Sequence, residues 1–67
     1  MSDTESKKLF LKGIEYFNKK NFLLAEDKFE KALKLSPNRV SIVENLAKVY
    51  FLNKSYHKSE NLLNQLI

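Results

Sequence analysis

The sequence predicts an all-α fold built as two antiparallel helix–turn–helix hairpins, four helices in total. Two observations carry this. Apolar residues recur at steps of three and four along the chain: Leu9, Gly13, Tyr16 and Phe17, then Phe22, Ala25, Phe29, Ala32 and Leu33. Val43, Leu46, Ala47 and Tyr50 follow, and then Tyr56, Ser59, Leu63, Leu66 and Ile67. That spacing puts each set on one face of a helix, and no segment alternates with period two for long enough to compete as a strand. Sliding the chain against itself by 34 residues supplies the second observation. Tyr16 meets Tyr50, Phe17 meets Phe51, Lys20 meets Lys54 and Glu26 meets Glu60. Conservative pairs fill the same frame: Leu9 with Val43, Gly13 with Ala47, Phe22 with Tyr56, Phe29 with Leu63 and Leu33 with Ile67. These apolar pairs fall on expected buried faces, which is the pattern of a repeated helical unit.

Each helix has a chemical reason to begin or end. Ser2-Asp3-Thr4-Glu5 can form a capping box, with hydroxyl and carboxylate satisfying amides that the first turn leaves free. Asn21 and Ser55 are each placed to cap a second helix. Pro37 has no amide hydrogen and stops the helix carrying Ala32 and Leu33, after which Asn38 or Ser41 opens the next. The expected helices cover about 4–19, 22–35, 40–53 and 56–66. Short connections within each hairpin force consecutive helices antiparallel.

Composition narrows the function. A 67-residue chain with no cysteine and one histidine has no disulfide to staple a marginal core and too few soft ligands for a metal cage. No metal or cofactor is expected. Met1 to Lys8 is polar and charged, and the apolar runs are far short of the ~20 residues that span a bilayer. A soluble cytoplasmic protein without membrane contact is therefore expected. The net charge of +4 is spread along the chain. Glu15–Lys19, Asp27–Lys31, Glu30–Lys34 and Glu44–Lys48 are ordered as helix-stabilising pairs, worth ~0.2–0.5 kcal/mol each. The charge reads as a solvated face. Nucleic acid, for which Lys7, Lys8, Lys19, Lys20, Lys54 and Lys58 would be the contacts, is the weaker expectation, since no stacking aromatics interleave with them.

The first unit carries Leu9, Lys12-Gly13, Tyr16, Ala25, Phe29, Ala32 and Pro37; the second carries Val43, Leu46-Ala47, Tyr50, Ser59, Leu63 and Leu66. In this spacing the chain resembles the tetratricopeptide repeat. The resemblance implies a short right-handed solenoid, with an N-terminal tail or helix cap over 1–5, one repeat over 6–39 and an incomplete one over 40–67. Gly13 and Ala47 are small where the helices of a hairpin cross, while Tyr16 and Phe29 fill the space between. Three departures stand out. Lys20 and Lys54 occupy turns where glycine is usual, Lys12 replaces a leucine, and two repeats are fewer than the three or so that usually secure such a stack.

The resemblance also implies a site. In this family the inner faces of the first helices line a peptide-binding groove. By position these are Lys7, Phe10, Leu11, Ile14, Phe17 and Asn18, then Ser41, Glu44, Asn45, Lys48, Phe51 and Leu52. Phe10, Ile14, Phe17, Phe51 and Leu52 are surplus to the core and are expected to form an exposed apolar patch, with Asn18, Asn45 and Lys48 beside it. Leu62, Leu63, Leu66 and Ile67 make a second apolar edge, suited to a third repeat, to another domain or to a second copy of the chain. A clamp for a C-terminal carboxylate, known in relatives, is not expected, because Phe10 and Ile14 stand where it needs lysine and asparagine. His57 is read as a surface residue, no acidic pair is isolated in an apolar pocket, and Gly13 alone cannot make a phosphate loop. The expected function is a non-catalytic scaffold whose partner is a protein, a peptide or its own copy. The alternative is that the repeats form the N-terminal part of a longer, enzymatic protein.

Overall fold

The computed structural model describes residues 2–65, with side chains described over 4–64. Four helices follow one another: α1 (Ser2–Asn18), α2 (Phe22–Leu35), α3 (Val40–Leu52) and α4 (Tyr56–Gln65). Each packs on the next, α1 on α2, α2 on α3 and α3 on α4. The fold is thus all-α, two hairpins in series, as the periodicity predicts. The assembly is a plate, 31 × 30 × 13 Å.

Both hairpin turns are built alike. Asn21 N–H donates to Tyr16 C=O at 2.9 Å and Lys20 N–H to Phe17 C=O at 2.9 Å. Thirty-four residues on, Ser55 N–H donates to Tyr50 C=O at 2.7 Å and Lys54 N–H to Phe51 C=O at 3.0 Å. This crossed pair of bonds satisfies carbonyls that a helix end leaves free, and it needs one residue in the left-handed region. Lys20 (φ 62°) and Lys54 (φ 60°) occupy it. The lysines therefore take up the backbone cost expected of them.

Other helix signals shift. Asn21 caps α2, accepting from Leu24 N–H at 3.4 Å, and α2 ends at Leu35, two residues before Pro37. The helix α3 does not open at Asn38 or Ser41. Its N-cap is Arg39, which makes no side-chain capping bond. Ser2 is already helical, so the capping box expected there does not mark the start of α1.

The core lies along the middle of the plate. Ala25 and Phe29 of α2 meet Val43, Leu46, Val49 and Tyr50 of α3 and Leu62 of α4, and Ala32 and Ile42 are buried as well. Burial at ~25 cal/mol per Å² makes these side chains the main source of stability. The backbones of α1 and α2 approach closely at Gly13, which lies against the Phe29 ring. Beside them Ser6, itself buried, donates its hydroxyl to Ala32 C=O at 3.1 Å and ties the start of α1 to the end of α2. Glu15–Lys19 and Asp27–Lys31 pair as expected, at 3.4 and 3.2 Å. Glu30 instead turns away from Lys34 towards Tyr50 and Lys58, across the boundary between hairpins.

Candidate functional site

The expected groove is only partly an open surface. Phe10 is half-buried, its ring 5.6 Å from that of Phe29. Ile14 and Phe17 are also half-buried against the core cluster. These three are corrections to the expected exposed patch. Helical periodicity gives the direction a side chain faces, but the neighbouring aromatics Phe29 and Phe22 decide how far it is covered. A depression of about 340 Å³ does remain between α1 and the start of α3, lined by Lys7, Phe10, Leu11, Arg39, Ser41 and Ile42, with Ser6. Asn45 is half-buried and donates to Ser41 C=O at 2.7 Å, so its amide is engaged within α3. Asn18 and Lys48 are exposed and do not line this depression.

Open apolar surface lies on both hairpins: Leu11, Leu23, Leu24 and Leu35 are exposed on the first, and an aromatic group is exposed on the second. Phe51 is 65% exposed, Leu52 47%, Tyr56 54% and Leu63 50%. Their counterparts in the first hairpin show why this matters. Phe17 and Phe22 pack edge to face at 5.4 Å, forming a clasp across the turn, and Phe51 and Tyr56 repeat that clasp at 5.7 Å. Phe17 and Phe22 are half-buried, and Phe29, the counterpart of Leu63, is wholly buried. The same construction is covered once and left open once.

The covering of the first hairpin has a polar seam that the sequence reading missed. Asn53 at the end of α3 donates its amide to Phe22 C=O at 3.1 Å and to the Glu26 carboxylate at 3.0 Å. Lys58 on α4 reaches Glu26 at 3.3 Å and Glu30 at 3.7 Å. The Tyr50 hydroxyl donates to Glu30 at 2.5 Å. Burial first, then the Glu30 carboxylate, pushes the Tyr50 phenol far above its usual range. Its hydrogen bond to Glu26 and the charges of Glu30 and Glu26 raise Lys58 as well. The seam also bounds an open cavity of about 630 Å³ between α2 and α4, with Leu46, Tyr50 and Leu62 among its walls.

Leu62 is a further correction. At 6% exposure it belongs to the core, where it meets the α3 side chains, and it is not available to a self-association edge. Leu63 is open, while Leu66 and Ile67 lie outside the described residues. His57 is exposed. Among the described residues no cluster of three or more His, Cys, Asp or Glu side chains could hold a metal ion. No helix there is long and apolar enough to cross a membrane.

Helical hairpins turned by the same motif 34 residues apart and stacked in series define a helical-repeat protein. The tetratricopeptide repeat family matches over residues 6–39. The chain belongs to that family, whose repeats generally form non-catalytic scaffolds that mediate protein–protein interaction. No curated protein and no solved structure gives a match.

Proposed function

We propose that this chain is a protein-interaction module without chemistry of its own, which holds an apolar helical segment of a partner on the open end of its second hairpin. The observation that carries the reading is the contrast between repeats. Phe51, Tyr56 and Leu63 are at least half exposed, while Phe17, Phe22 and Phe29 at the same repeat positions are half-buried or buried. Contiguous apolar surface of this kind costs solubility and is retained where a partner covers it.

The test is amide chemical-shift mapping of the chain against a panel of amphipathic helical peptides, with Leu63→Asp and Phe51→Ser variants alongside. Binding that perturbs Phe51, Leu52, Tyr56 and Leu63, and that either substitution removes, supports the reading. Perturbations confined to the Lys7–Phe10–Arg39 depression would move the site to the inner face. No perturbation by any peptide would remove the scaffold role.

A further inference from the structure

The seam between the hairpins has an acceptor half and a donor half. On the first hairpin the acceptors are the Phe22 carbonyl and the Glu26 and Glu30 carboxylates. On the second hairpin the donors are Asn53, Lys58 and Tyr50. The Glu26 side chain is only 12% exposed, so these donors replace the water it loses. The 34-residue shift carries Glu26 onto Glu60, Phe22 onto Tyr56 and Phe29 onto Leu63. The second hairpin therefore displays part of that acceptor half, the Glu60 carboxylate and the first-turn Tyr56 carbonyl, with Asn64 in the place of Glu30, flanked by exposed apolar side chains. Glu60 is exposed and makes no ion pair among the described residues.

The donor half is repeated only in part, with Tyr16 and Lys19 at the places of Tyr50 and Asn53 but Leu24 at that of Lys58, and the apolar stripe around it is lost. In α3 the covering stripe is Ile42, Val43, Leu46, Val49 and Tyr50, all buried. The same positions in α1 hold Lys8, Leu9, Lys12, Glu15 and Tyr16, and Lys19 stands in the place of Asn53. Lys12 and Lys19 already pair with Glu15, at 3.5 and 3.4 Å. A second copy stacked head to tail would bury these charges against Tyr56 and Leu63, which apolar surface does not repay. The chain thus has one end closed by charge and one end open, and its own closed end does not fit its open one.

Building on the open end as the binding surface, we infer that the face takes a helical hairpin of a partner protein that carries the donor code of α3–α4. That code is an apolar stripe spaced as in α3, an amide at the first helix's end, and a lysine in the first turn of the second helix. Glu60 is the acceptor that fixes the register.

The probe is a fluorescently labelled peptide with the sequence of residues 40–65, titrated against the whole chain and read by anisotropy. Variants are Glu60→Lys and Leu63→Asp in the chain, with unchanged helicity checked by circular dichroism, and Lys58→Glu in the peptide. Saturable binding, weakened about tenfold by E60K and restored when the E60K chain meets the K58E peptide, is the expected result. Binding that L63D removes but E60K leaves intact would overturn the register while sparing the open end as an apolar surface. Binding indifferent to both would place the peptide elsewhere and overturn both. No binding at millimolar chain concentration would overturn the inference, leaving the scaffold reading to its own peptide panel.

Discussion

A Cβ placed on Gly13 would lie 2.5 Å from Cε1 of Phe29 and 2.6 Å from its Cδ1. The ring occupies the space a side chain would need, and both groups sit in the interior of the first hairpin. In the second hairpin the same sequence positions hold Ala47 and Leu63, a larger residue and a smaller one.

Gly13→Ala gains about 1 kcal/mol of helix propensity but forces a buried ring to move, which costs about 1–3 kcal/mol. The net expectation is destabilisation, seen as a lower urea midpoint. The double variant Gly13→Ala/Phe29→Leu restores the combination found in the second hairpin and should recover part of that loss. Simple additivity of the two single variants would show that the contact does not couple them.

Lys20→Gly and Lys54→Gly should each stabilise the chain by about 0.5–1 kcal/mol. The left-handed region costs an L-residue about 1–2 kcal/mol, and glycine escapes this while giving back some unfolded-state entropy. A rise of melting temperature of about 4–8 °C per kcal/mol is the readout for a domain of this size. The same change at Lys19, whose φ is not positive, should lower stability instead.

Asn53→Ala removes both donations to the first hairpin, one of them to a partly buried carboxylate. Loss of about 1–2 kcal/mol is expected, because Glu26 keeps Lys58 but Phe22 C=O loses its cross-hairpin donor. Amide exchange should speed up in α3 and α4 more than in α1. Equal acceleration in all four helices would argue against a role confined to the seam.

Alkali should weaken the same seam. Tyr50 and Lys58 both hold their protons more tightly in the folded chain than their unfolded values of ~10 and ~10.4. Their contribution is whole below those values and is lost as pH rises through the folded ones, because the folded state there binds more protons. Stability should be level with respect to these groups from pH 7 to 9 and decline above about pH 10, with Tyr50→Phe shedding the tyrosine's share. Glu15 acts at the other end. Its hydrogen bond to Lys19 and the charge of Lys12 lower it, so its small contribution fades as pH falls below ~4.

Much of this was legible in the sequence because helices announce themselves locally. Spacing of three and four fixed the helices to within a residue or two at most ends, and the 34-residue shift marked Lys20 and Lys54 as equivalent turns. What stayed hidden depended on neighbours. Phe10 and Phe17 face as their positions require, yet Phe29 and Phe22 lie close enough to cover them. Ile42 and Val49 escaped the predicted core because their counterparts Lys8 and Glu15 are charged, so the repeat comparison masks them. Leu62 is likewise paired with Lys28, and only the meeting of α4 with α3 shows it as interior. Asn53 gave no signal at all, since an amide at a helix end is ordinary until its acceptor is known.

Each helix touching chiefly its chain neighbours has a thermodynamic consequence. Cooperativity in such a stack passes from link to link, so loss of one outer element leaves the others' contacts standing. Among its described residues α4 contributes one buried apolar side chain, Leu62, where α3 contributes five. The protein is therefore expected to unravel as a zip from α4, with the α1–α2 pair locked by Gly13 and Phe29 last to release. A ligand seated on α4 closes the zip at its weakest tooth, so its occupancy is felt as protection throughout α3.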